Sequence, residues 1–126
     1  MFAITSIYAG VLAILLVVLS MRVVNVRKAE RVSLGHGESG LLLKRVRSHA
    51  NCAEYAPLGI ILIGLVEAQG APAAAVHALG LALVASRLLH PFAIEKTNFK
   101  LRTISMATTF GVLITAGAGL ILHGLF

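Results

Sequence analysis

The stretch RSHANCAEYAPLGIILIGLV, residues 47–66, sets a polar half against an apolar half. From Pro57 onward it carries no charge and reads as part of a membrane-spanning helix. Ahead of that run stand Arg47, His49, Asn51 and Glu54. A charge at the bilayer centre costs on the order of 2.5–3.5 kcal/mol on insertion scales and needs a partner. Charged groups kept at the edge of a span therefore point to a binding site or an internal tie.

The rest of the chain agrees with the membrane reading. Of its 126 residues 58% are hydrophobic, only 13% are charged, and none is Trp; the mean hydropathy is +0.91. A soluble domain averages about a quarter charged residues. No stretch is long and polar enough to form a separate soluble catalytic domain. A spanning helix needs about 20 mainly apolar residues. Four segments meet that length, near 2–29, 41–66, 71–94 and 103–126. The connections 31–40, 67–72 and 95–102 are short, so neighbouring helices run antiparallel. The expected fold is an all-α membrane protein, one domain over 1–126, built as a four-transmembrane-helix up-down bundle.

The charges are one-sided. All eleven Lys and Arg lie in the first and third connections or in the helix ends that feed them. The positive-inside rule then puts those connections in the cytoplasm and both termini on the non-cytoplasmic side. The first span has no basic residues before its apolar part, which favours a retained helix over a cleaved leader. The net charge is +6 and the pI about 10.3. Because the basic residues flank apolar spans, they read as topology signals and an anion site, and nucleic acid is set aside as a partner. Cys52 is the single cysteine and the five histidines are scattered, so no metal site is expected.

Small residues recur every four positions: Thr5, Ala9 and Ala13; Ala74, Ala78, Ala82 and Ser86; Gly111, Thr115 and Gly119. In lipid such stripes allow close helix packing, and they carry no expected chemistry.

At 100° per residue, Arg47, Asn51 and Glu54 fall within about 60° of one another on one helix face. Tyr55 borders that face, and His49 points away. On the third helix Arg87 and His90 share a face. A folded bundle is expected to gather Arg22, Arg27, Arg47, Asn51, Glu54, Arg87, His90 and Arg102 around one pocket. One reading is structural, with Glu54 and Arg87 pairing to staple two helices. The excess of Arg over carboxylate favours an anionic ligand instead, bound through guanidinium forks. One acid among many bases suggests that the ligand also carries an amine. Pro57 leaves the Ala53 carbonyl without its helical donor, so a bend is expected just past Glu54.

RSHANCAEYAP resembles the signature of the MAPEG family, the membrane-associated proteins in eicosanoid and glutathione metabolism. SRLLH, residues 86–90, and LRTISMATTF, residues 101–110, resemble that family's third-helix segment and fourth-helix start. The likeness covers the whole chain, and its look is that of the small bacterial members.

The resemblance implies a homotrimer in the bacterial inner membrane, with glutathione as cofactor held between neighbouring subunits near the cytoplasmic side. By resemblance, Arg47 and Asn51 hold the peptide's carboxylate or backbone, Glu54 takes its ammonium, and Tyr55 contacts its γ-glutamyl end. Arg27 reaches a carboxylate. Arg87 supports the second-helix acid or the ligand, and His90 stands where one branch has a tyrosine and another a histidine. Arg102 is the implied catalytic residue beside the thiol. The implied activity is a glutathione-dependent transferase or peroxidase acting on a hydrophobic small-molecule electrophile dissolved among membrane lipids. A non-catalytic bundle binding an anion or lipid, or a purely structural bundle, are the alternatives. Ile94 stands where glutathione-using members place a tyrosine.

Overall fold

The computed structural model describes residues 1–126 as four helices: α1 Ala3–Glu30, α2 Gly40–Ala68, α3 Ala73–Glu95 and α4 Phe99–Leu125. Each is long and apolar enough to cross a membrane. Even α3, with 23 residues, reaches about 35 Å at 1.5 Å per residue, more than the roughly 30 Å hydrocarbon core.

Local chemistry sets the ends. The Ser39 side chain accepts from the Leu42 amide at 3.0 Å and starts α2. The Asn98 side chain does the same for Leu101 at 3.1 Å, so α4 begins at Phe99 instead of near residue 103. The charged stretch 95–102 concealed that cap, and Lys100 and Arg102 are helical. Arg31 and Thr97 take left-handed backbone conformations at φ 56° and 52°; both follow a helix end, where such a residue stops propagation.

The N-terminus of α1 has no side-chain cap of its own. Glu67, at the far end of α2, supplies one. Its carboxylate accepts from the Ile4 amide at 2.9 Å, the Thr5 amide at 2.8 Å and the Thr5 hydroxyl. The first free amides of α1 are thereby satisfied, and a negative charge sits at the positive end of its dipole.

The helices pack as a diamond. α2 and α3 touch each other and both touch α1 and α4, while α1 and α4 do not meet. The apolar core runs through Leu12, Leu19, Cys52, Ile63, Val76, Leu83 and Val112. Glycine does its packing work at two positions. A Cβ at Gly59 would lie 2.7 Å from a Leu83 methyl, and one at Gly80 would collide with the Tyr8 ring. Tyr8 is thus held against the α3 backbone, where its hydroxyl meets His77 Nδ1 at 2.7 Å. The small-residue stripes divide, with Thr5 and Ser86 buried inside the protomer. Ala74 and Ala78 of α3 and Gly111, Thr115 and Gly119 of α4 are exposed on the outside of the protomer.

Candidate functional site

The diamond divides the polar residues into separate clusters. Because α1 and α4 lie on opposite flanks of the α2–α3 pair, the single pocket expected from the sequence does not form within one chain. Arg22 pairs with Glu95 on the α1 side. Arg27 turns back on its own loop, donating to the carbonyls of Val32 at 3.3 Å and Gly35 at 2.8 Å.

On the other flank, α2, α3 and α4 build a buried polar network. Arg87 is 1% exposed. Its guanidinium donates to the Asn51 side-chain oxygen, to Thr109 Oγ1 at 2.8 Å and to Met106 Sδ at 3.4 Å. The Thr109 hydroxyl donates in turn to the Ser105 carbonyl at 3.0 Å and meets the Ser86 hydroxyl at 2.9 Å. The guanidinium also lies 5.8 Å from the centre of the Tyr55 ring, within cation–π range. Tyr55 packs edge-on against Phe110 of α4.

The expected Glu54–Arg87 staple is therefore absent. Glu54 is about half exposed and lies 3.8 Å from Arg47, itself equally exposed. The physical reason is angular. Asn51 lies on the part of the α2 face turned toward α3, while Glu54, three residues on, is rotated about 60° away onto the rim. No carboxylate comes within salt-bridge distance of Arg87. Its Nε and the His90 Nδ1 are buried without hydrogen-bond partners.

At the basic end of the bundle, α2, α3 and α4 also bound a cleft of about 300 Å³. Lys44 and Arg47 of α2, Ile94 of α3, Asn98 and Arg102 of α4 line it. Three cations and no carboxylate face this space. Lys44 is engaged only by neutral acceptors, the Glu95 carbonyl at 3.4 Å and Thr97 Oγ1 at 3.1 Å. His90 is 2% exposed.

The structure thus brings Arg47 and Arg102 into one cleft, places Asn51, Arg87, Tyr55 and His90 in or beside the buried network, and leaves Glu54 half exposed beside Arg47. It does not bring in Arg27. Sequence reasoning passed over Lys44, Ser86, Ser105, Met106 and Thr109. The hydroxyls were legible only as small residues, since a Ser or Thr in a span serves packing and hydrogen bonding alike.

The family model described as MAPEG family matches residues 5–122. Two curated relatives, both called inner membrane protein YecN, come from Escherichia coli strains K12 and O6:H1. Each is 34% identical to this chain over 111 residues, covering 88% of this chain and 85% of the relative. The match takes in all of α2 and α3, including the Arg47–Pro57 stretch and the buried Arg87 network, and the chain belongs to the MAPEG family.

Proposed function

We propose that this protein is a glutathione-dependent transferase or peroxidase that acts on hydrophobic electrophiles at the cytoplasmic face of a bacterial inner membrane. The observation that carries the reading is the cleft lined by Lys44, Arg47 and Arg102 with no acid among its walls, with the half-exposed Glu54 carboxylate 3.8 Å from Arg47. Glutathione has two carboxylates, one ammonium and a thiol, and the residue set fits it. Lys44 and Arg47 offer cations to the carboxylates, and Glu54 offers an anion to the ammonium once it leaves its long pairing with Arg47.

Bound glutathione would supply a nucleophilic sulfur. A free thiol has a pKa near 8.5, and little of it is thiolate at neutral pH. Arg102 stabilises that anion, and each tenfold gain in thiolate reflects about 1.4 kcal/mol of guanidinium–sulfur interaction. The exposed apolar surface of the bundle gives electrophiles in the bilayer access to the cleft.

A homotrimer belongs to the same proposal. Arg27 does not join the cleft of its own chain, so an α1 arginine serves it best from a neighbouring copy. The exposed α4 stripe of Gly111, Thr115 and Gly119 suits close helix contact between copies. The positive-inside rule favours the cytoplasmic half for the cleft, since the basic connections lie at that end, and the relatives' name supports the inner membrane.

Ultraviolet difference absorbance of the purified protein titrated with glutathione tests this. A saturable thiolate band that disappears in Arg102→Ala is expected. Binding without a band would favour a second reading, suggested by Ile94 in the cleft wall: a site that holds an anionic peptide or lipid without activating a thiol. No binding at all would overturn both.

A further inference from the structure

A second ionic cluster lies on the opposite flank, at the basic end of the α1–α3 groove. Arg22 of α1 and Arg45 of α2 converge on one oxygen of Glu95, with Arg45 Nε at 2.6 Å. That pairing is imperfect: Arg45 Nε is buried and makes no aligned hydrogen bond. Two guanidiniums share one carboxylate, so the cluster keeps one positive charge in excess. Each of the three side chains is between a fifth and a third exposed.

Below the charges the groove is apolar. Leu15 and Val18 precede Arg22 on one α1 stripe, and Leu88 and Phe92 precede Glu95 on one α3 stripe. Both stripes have helical spacing, and α1 and α3 run parallel. Their apolar residues therefore lie on the same side of the ions, toward mid-membrane. The seven steps from Leu15 to Arg22 extend about 10 Å, roughly half an acyl chain. Val18, Leu88 and Phe92 are each about half exposed, at 49%, 53% and 52%.

We propose that this groove binds an anionic phospholipid, with the headgroup phosphate on Arg22 and Arg45 and an acyl chain along Val18, Leu88 and Phe92. Charge complementarity and groove shape select the occupant. A soluble anion would use the guanidiniums and leave the apolar stripes bare, whereas a neutral lipid would leave the surplus charge unanswered. Basic pockets between spanning helices on the cytoplasmic side hold lipid headgroups in this way. Glu95 sets the strength of the site by competing for both arginines. The inference does not rest on the glutathione reading, because no residue of the cleft takes part.

The full-length protein is placed in nanodiscs of phosphatidylcholine with a minority of phosphatidylglycerol, extracted mildly, and read by native mass spectrometry. Wild type is expected to retain phosphatidylglycerol in preference to phosphatidylcholine. Arg22→Ala and Arg45→Ala should each lower its retention about fivefold, with phosphatidylcholine unchanged. Glu95→Gln should raise it, since both guanidiniums are freed. Glycerol 3-phosphate added at the same concentration should not displace the lipid. If the alanine variants misfold, Arg22→Gln and Arg45→Gln keep hydrogen-bonding capacity without charge and should show the same loss. Equal retention of the two lipids by wild type overturns the proposal, as would a groove filled by a second copy and holding no lipid. Loss of both thermal stability and phosphatidylglycerol in Glu95→Gln overturns it in favour of a purely structural tie.

Discussion

Arg87 on α3 donates to the side-chain oxygen of Asn51 on α2 and not to Glu54 three residues further on. A guanidinium 1% exposed is thus solvated by an amide, a hydroxyl, a thioether and an aromatic face, with no carboxylate beside it. Each of these acceptors is neutral, so the buried charge is solvated without being cancelled. A carboxylate in the place of Asn51 would have cancelled it.

Removing the amide should expose that dependence. Asn51→Leu takes away an acceptor serving a buried charged donor, and such bonds contribute about 1.5–3 kcal/mol. A loss of about 2 kcal/mol is expected, read as a lower thermal unfolding midpoint in detergent. Glu54→Gln, on the half-exposed rim, should leave the midpoint nearly unchanged because exposed ion pairs contribute little. Equal losses in the two variants would contradict the assignment of Asn51 as the Arg87 partner.

The Glu67 cap can be read by hydrogen exchange. Its carboxylate accepts from the Ile4 and Thr5 amides. Glu67→Ala should speed exchange at those two amides and leave the middle of α1 unaffected. Glu67→Gln should fall between, since its amide has a single acceptor oxygen. Unchanged protection at Ile4 and Thr5 would show that the cap is not formed.

Two glycines should separate packing inside the protomer from packing between copies. Gly80→Ala drives a methyl into the Tyr8 ring, and overpacking of this kind costs about 1–3 kcal/mol. Nothing approaches a Cβ at Gly111 within the chain. Gly111→Leu should therefore keep the protomer's helical circular dichroism while weakening the proposed trimer. Native mass spectrometry after extraction distinguishes the two effects, and an intact trimer in Gly111→Leu would remove the α4 stripe from the interface.

Ile94 is an apolar member of the cleft wall. Ile94→Tyr introduces a hydroxyl donor where a thiolate is proposed to lie. A hydrogen bond to a charged group contributes about 1.5–3 kcal/mol, so glutathione should bind about tenfold or more tightly and its thiolate band should grow. Isothermal titration and difference absorbance check both. Weaker binding in the tyrosine variant would indicate that Ile94 seats an apolar part of the ligand.

The sequence by itself determined the four spans, their order and the single basic end. Those follow from local composition, because a backbone in hydrocarbon must satisfy its own hydrogen bonds whatever its neighbours are. It also marked Arg47, Asn51, Glu54, Arg87 and Arg102 as the polar residues worth watching, since intramembrane charge is costly wherever it sits. It did not determine which of them meet. One helical face spanning 60° holds both Asn51 and Glu54, and only the approach of α3 decided that the first turns inward to Arg87 and the second stays on the rim. The separation of α1 from α4 likewise decided that Arg22 joins Arg45 and Glu95 instead of Arg102. Partner choice in a bundle depends on helix rotation and neighbour order, and these are properties of the packed whole.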